Sequence, residues 1–181
     1  MTQPSDSNCL LITGDPGVGK STFIKEILSN DKYLGSNIKL CYIPQEITFE
    51  DDNLSILEEA RKYFIGIEQH LRSALFKFLF VGENIHKKIK YLSGGEKVRL
   101  KLFCLIQKNY NFLILDEPTN HIDIDTREIL ENALIEFNGS ILFISHDRYF
   151  INKIATNIIE IKNKKINKYI GNYEDYINKK N

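Results

Sequence analysis

Residues 9–13, Cys-Leu-Leu-Ile-Thr, run directly into Gly-Asp-Pro-Gly-Val-Gly-Lys-Ser at 14–21. The apolar run reads as a buried strand ending at Gly14, and 20–28 reads as a helix. A strand, a glycine-rich turn and a helix in that order strongly restrict the fold. The spacing G-x-x-x-x-G-K-[ST] makes physical sense only in that context. Its glycines let backbone N–H groups turn inward around phosphate oxygens, and the helix N-terminus aims its dipole at the same point. Gly14, Gly17, Val18, Gly19, Lys20, Ser21 and Thr22 are therefore expected to hold phosphate. Lys20 would reach the β- and γ-phosphates as a point charge, and Ser21 would offer its hydroxyl to Mg2+.

Downstream, short apolar segments alternate with helical ones. Strands are expected at 38–44, ending on Pro44, and at 112–116 and 141–145. Helices are expected from the Leu92–Glu96 stretch to about Gln107, over about 125–137, and over 148–155. A closing strand pair, 157–161 and 166–170, flanks a basic Lys-Asn-Lys-Lys stretch at 162–165. Between the halves, 54–80 has helical spacing, with Leu71, Leu75, Phe78 and Leu79 on one side, and marks a candidate helical subdomain. The pattern predicts an α/β fold with a largely parallel sheet.

Composition narrows the partners. The 181 residues hold 24 basic and 24 acidic side chains, so no global field favours nucleic acid or an anionic membrane. Cys9, Cys41 and Cys104 have no paired spacing and fit buried thiols, not a disulfide framework or a zinc site. No apolar run approaches the roughly 20 residues of a membrane span. The N-terminus is polar without a signal-peptide layout, so a cytoplasmic location is expected.

A phosphate loop needs an acidic partner for its metal. Phe-Leu-Ile-Leu-Asp-Glu at 112–117 supplies one at the end of an apolar strand. Asp116 is the candidate for Mg2+, through water, and Glu117 is placed to orient an attacking water.

Five motifs then occur in a fixed order: the phosphate loop, Ile-Pro-Gln-Glu with Gln45, Leu-Ser-Gly-Gly-Glu at 92–96, Asp-Glu-Pro-Thr-Asn-His-Ile-Asp at 116–123, and Ser-His-Asp with His146. The series resembles that of ATP-binding cassette (ABC) ATPases over roughly residues 9–178. The resemblance implies a P-loop NTPase fold with a mostly parallel sheet, flanking helices and a helical subdomain. It implies a core of about 9–45 and 93–170, a signature subdomain of about 46–92 and a tail at 171–181. ATP and Mg2+ are the implied ligands, with Ser21, Gln45 and Asp116 at the metal. Ser93, Gly94 and Gly95 resemble the signature that faces a γ-phosphate held by another cassette. Asp123 resembles the aspartate of the loop crossing the dimer interface. Glu117 and His146 resemble the catalytic glutamate and the switch histidine.

Thr-Asn-His-Ile-Asp, Ser-His-Asp-Arg-Tyr-Phe, the approach to the signature at 78–96 and Tyr-Ile-Gly-Asn-Tyr-Glu-Asp-Tyr at 169–176 resemble the second, C-terminal cassette of the ABC-F branch. That branch is soluble and mostly acts on ribosomes, as translation or antibiotic-resistance factors. The implied activity is ATP hydrolysis requiring a second cassette in trans, from a second copy or a missing half. The ribosome and its RNA are the implied partner, with the basic stretches 162–165 and 178–181 as candidate RNA contacts. Two departures stand out. The N-terminal antiparallel strands and their adenine-stacking aromatic are largely missing, and Pro16 replaces the usual Asn. They leave two alternatives open: a degenerate binding module with little catalysis, or the ATPase subunit of a transporter.

Overall fold

The computed structural model describes residues 8–29, 35–162 and 165–180. Its elements run β1 (Cys9–Thr13), α1 (Lys20–Ser29), β2 (Leu40–Ile43), α2 (Ile56–Arg61), α3 (Glu68–Phe76), α4 (Gly94–Ile106), β3 (Phe112–Asp116), α5 (Ile124–Ile135), β4 (Ser140–Ile144), α6 (Arg148–Ile154), β5 (Asn157–Lys162), β6 (Lys165–Ile170) and α7 (Tyr173–Lys180). They fall into two compact units. The first holds 1–45, 110–120 and 134–181, and the second holds 46–109 and 121–133.

In the first unit, β1, β3 and β4 are apolar along most of their length and bury both faces. Strands of that kind need cover on each side, which a parallel sheet between helices supplies. The six strands lie in the order β2-β3-β4-β1-β5-β6. All pair in parallel except β6, which returns antiparallel to β5. On one face, Ile24 of α1, with Phe23, Ile27 and Leu28, packs on Ile12, Ile114, Leu142, Ile144 and Ile161. On the other, Phe143 meets Phe150 of α6 edge-on, with ring centroids 5.5 Å apart. This is the α/β phosphate-loop fold that the sequence predicts.

The C-terminal segment is a helix and not merely a tail. Tyr176 of α7 is buried, and its hydroxyl donates to Glu160 Oε1 at 2.7 Å. The Tyr169 hydroxyl lies 3.5 Å from Glu160 Oε2. A buried carboxylate on the β5 strand requires such donors, because burial without them is costly. Of the basic stretches proposed to touch RNA, Asn163, Lys164 and Asn181 lie outside the described residues.

The second unit has its own core. Ile56 and Ala60 of α2, Leu71 and Leu75 of α3, and Leu100, Phe103 and Cys104 of α4 cluster with Phe80, Ile85, Ile89 and Leu92. Phe103 takes Phe78 edge-on at 5.5 Å and Phe64 in a stack at 6.4 Å. The expected subdomain, 46–92, lies inside this unit. α4, which the sequence reading placed with the sheet, also belongs here because its apolar side completes this cluster. Among the described residues, no helix is long and apolar enough to cross a membrane.

One expected core residue is displaced. Leu79 is 45% exposed, because α3 stops at Phe76 and Leu79 takes a φ of 61°. The Phe80 N–H donates to the Leu75 carbonyl and the Leu79 N–H to the Phe76 carbonyl, the paired bonds of a Schellman stop. That stop normally takes glycine, and a branched side chain there costs roughly 1–2 kcal/mol. Leu79→Gly is expected to raise the unfolding free energy by about 1 kcal/mol in a urea titration. Leu79→Ala should give no gain. A loss in both variants would show that the side-chain contacts outweigh the backbone strain.

Candidate nucleotide-binding site

The register of the sheet gathers the motifs of the first unit. Ile12 pairs with Ile144, and Ile144 with Asp116, so β1, β4 and β3 end at one level. The phosphate loop leaves β1, the two acids close β3, and His146 follows β4. β2 extends the row: Ile43 pairs with Leu115, and the exposed Gln45 follows two residues later. Carboxyl ends of parallel strands are where α/β sheets bind ligands.

Pro16 has a geometric reason. The Val18 N–H donates to the Asp15 carbonyl at 3.2 Å, closing a turn with Pro16 second and Gly17 third. Gly17 has φ 76°, the angle that the third position of a type II turn requires, and proline suits the second. The Pro16 departure is thus an ordinary turn residue. The same bond occupies the Val18 amide, and the Val18 side chain packs into the sheet core. Beyond the turn, α1 opens with the Phe23 N–H donating to the Gly19 carbonyl at 2.9 Å. Ser21 and Thr22 are exposed on its first turn. Lys20 Nζ donates to the carbonyls of Gly14 at 2.8 Å and Asp15 at 3.1 Å. An ammonium has three donors, so one remains to face a phosphate.

The Ser21 hydroxyl lies near the Asp116 carboxylate and favours its ionised form, so the start of α1 meets the end of β3. Burial raises the Asp116 carboxyl above its ordinary range, against the pull of the Ser21 hydroxyl and the charges of Lys25 and Lys20. Among the described residues no group of three or more His, Cys, Asp or Glu gathers to hold a metal. Ser21 and Asp116 together are a small, hard oxygen set. That set fits Mg2+, which keeps most of its waters and takes its other ligands from phosphates.

Glu117 and His146 are brought together. His146 Nε2 lies 3.3 Å from Glu117 Oε1, and the His146 backbone N–H donates to Glu117 Oε2 at 3.3 Å. Burial pushes the Glu117 carboxyl upward, and the neighbouring His146 pulls it down. Glu117 also sits at φ 50°, with its N–H held by the Ile144 carbonyl at 2.9 Å. Strained backbone of this kind clusters at working sites.

In the second unit, Ser93 caps α4 in a reciprocal box. Its Oγ accepts from the Glu96 N–H at 3.2 Å, and Glu96 Oε2 accepts from the Ser93 N–H at 2.7 Å. Glu96 is also gripped by Lys87 Nζ, 2.9 Å from each oxygen. The Ser93 hydroxyl also lies against the Glu96 carboxylate and favours its ionised form. The Gly94 and Gly95 amides open the helix and have no partner one turn back. Two backbone donors are therefore left over at one helix start, the arrangement that favours an anion. Asp123 caps α5, its carboxylate accepting from the N–H and the hydroxyl of Thr126 at 2.8 and 2.9 Å. The capping box was legible as Ser-x-x-Glu. The roles of Lys87, Arg99 and Thr126 had no sequence signal, because the Lys87–Glu96 and Arg99–Thr126 pairs, 9 and 27 residues apart, fit no local motif.

Burial pushes the Glu96 carboxyl up, but Lys87 and the Ser93 N–H outweigh it and leave the carboxyl below the ordinary range. Such a group stabilises the fold above its unfolded pKa, and the contribution fades as pH falls through the folded one. Glu96→Gln is expected to cost stability at pH 7, and the difference should shrink below about pH 4. Ser93→Ala is expected to lower the unfolding free energy by about 1 kcal/mol. Urea titrations at the two pH values test both, and a pH-independent Glu96→Gln cost would remove the ionic account.

A family model described as ABC transporter matches residues 4–120. The "Putative ATP-binding protein YdiF" of Bacillus subtilis (strain 168) is 44% identical over 176 residues, covering 93% of this chain and 27% of the relative. The "Probable ATP-binding protein YbiT" of Escherichia coli O157:H7 is 38% identical, covering 94% of this chain and 34% of the relative. The chain thus spans about a third or less of the length of these relatives. A solved structure titled "RNase-L Inhibitor" superposes with a TM-score of 0.72 at 20% identity, over 95% of this chain and 36% of that one. Another, an ATP binding subunit of an ABC transporter, gives 0.73 at 18%, over 95% of this chain and 81% of that one. Those two likenesses concern the fold. With the family match spanning more than half its residues, the chain belongs to the ABC transporter family as an ATPase domain, in a family that binds ATP with Mg2+ and works through paired cassettes.

Proposed function

We propose that this chain is the ATP-hydrolysing cassette of an ABC-F-type protein, half of a two-cassette machine that acts on the ribosome. The observation that carries the reading is the state of the signature turn. Its two glycine amides are unspent within the helix, in a unit that contains no phosphate loop of its own. The ordered motifs, Thr-Asn-His-Ile-Asp and Ser-His-Asp-Arg-Tyr-Phe support the branch, and so does the greater length of the relatives.

In this reading Lys20, the free amides of the phosphate loop and Thr22 hold the triphosphate, while Ser21 and Asp116 hold the metal, with Gln45 reaching toward it. Mg2+, when bound, neutralises charge on the phosphate oxygens. Glu117 accepts a hydrogen bond from the attacking water and takes its proton as oxygen bonds to the γ-phosphorus and the bond to the β-phosphate oxygen breaks. His146 fixes the Glu117 carboxylate and lies beside the transferred group. The signature of the opposite cassette, built like Ser93-Gly94-Gly95 here, adds donors where charge develops and excludes water. Asp123 belongs to the loop that runs along that interface.

Glu117→Gln is expected to lower ATP turnover by roughly 10²- to 10⁴-fold while nucleotide binding persists, and to prolong an ATP-dependent association of cassettes. Steady-state phosphate release and sedimentation with Mg-ATP measure the two. Unchanged turnover together with unchanged association would reject the role of Glu117. Ribosome pelleting by the Glu117→Gln protein with ATP tests the partner, and recovery with membranes instead would favour the transporter reading.

A further inference from the structure

A buried polar relay in the second unit joins Asp123 to two residues outside the motif series, Thr126 and Arg99. Thr126 is fully buried, and its hydroxyl joins two charged groups. It accepts from Arg99 Nη1 at 3.0 Å and donates to Asp123 Oδ2 at 2.9 Å. The direction is forced, because a guanidinium only donates, a carboxylate only accepts, and the hydroxyl has one proton. The Thr126 N–H adds a bond to Asp123 Oδ1 at 2.8 Å. On its other side the Arg99 guanidinium lies over the Phe80 ring, 5.6 Å from the centroid. Phe80 is part of the unit's apolar core.

The signature turn rests on this relay. A Cβ placed on Gly95 would lie 2.8 Å from Asp123 Oδ2 and 3.1 Å from Thr126 Oγ1. The backbone of the turn therefore packs directly on the carboxylate–hydroxyl pair. Arg99, three residues after Glu96 on the same helix, reaches back to Thr126. Two segments distant in sequence, 93–99 and 121–126, are thus closed into a loop of contacts by one threonine hydroxyl. A valine would keep the branched shape without the hydroxyl, so Thr126→Val removes the relay while changing the packing little.

We propose that Thr126 and Arg99 are positioning residues that lock the signature turn and the Asp123 loop into one piece, presented together to the γ-phosphate end of a nucleotide on another cassette. What the piece is presented to rests on the function proposed above. Its construction does not.

The test uses Thr126→Val and Thr126→Ser in the full protein, read by amide hydrogen exchange and by steady-state kinetics. Loss of the relay removes hydrogen bonds worth about 1 kcal/mol or more. In Thr126→Val, the amides of residues 126 and 127 and those of Glu96 and Lys97 are expected to exchange about tenfold faster together. The amides of α1 should not change, and Thr126→Ser should restore all of them. The kcat for ATP should fall about tenfold in Thr126→Val with KM within about twofold, and recover in Thr126→Ser. Faster exchange confined to 126 and 127 would overturn the coupling. Unchanged kcat, despite coupled exchange in an active protein, would overturn the positioning role. A loss that spreads to α1 and resists serine rescue would make Thr126 a packing residue only. If the parent protein hydrolyses no ATP while the coupled exchange response holds, the proposed function falls and the locked piece stands.

Discussion

Ile12 pairs with Ile144, and Ile144 pairs with Asp116. This register makes three parallel strands end together, and the candidate site of the first unit depends on it. Residues 14–21, 116–117 and 146 are far apart in the chain, and no local interaction links them. A slip of one residue in β4 would turn its side chains to the opposite face. Phe143 would then leave Phe150, and Ile144 would leave the cluster around Ile24. The packing that stabilises the sheet is therefore the same packing that places the chemistry.

At that shared edge the protein accepts several unfavourable features. Asp116 and Glu117 are carboxylates raised by burial, and Glu117 has a left-handed backbone. The costs are offset locally. The Ser21 hydroxyl lies near Asp116, the His146 backbone N–H donates to Glu117 while its ring lies 3.3 Å from the other oxygen, and the Ile144 carbonyl holds the Glu117 amide. Lys20 is tied to two carbonyls of its own loop. Each charged group has a partner that a phosphate or a metal can replace or join. A preorganised site has this property, because little reorganisation is then needed when charge arrives.

The second unit solves a different problem. A helix start that offers free donors to an external anion lacks an internal ligand to hold it in place. Here the Ser93–Glu96 box secures it from within, and Lys87 holds Glu96. Gly95 then seats the turn on Asp123 and Thr126. Rigidity is thus obtained without spending the donors that face outward.

The amino-acid order alone determined the strand–loop–helix at 9–28, the apolar strand ahead of Asp116, and the candidate roles of Lys20, Ser21 and Glu117, whereas that of His146 came only from its place in the motif series. These are local signals, carried by spacing and residue type over a few positions. It also placed Leu71 and Leu75 in a core, but misplaced Leu79, since helical periodicity is blind to where a helix stops. Tertiary structure alone decided which units the segments join. α4 belongs with the helical unit because Leu100 and Phe103 complete its core. Tyr176 turns an apparent tail into part of the fold because Glu160 is buried and needs its hydroxyl. Thr126 acquires meaning as a link between Arg99 and Asp123. Periodicity and motif spacing report on neighbours in sequence, whereas burial and hydrogen-bond satisfaction are set by neighbours in space.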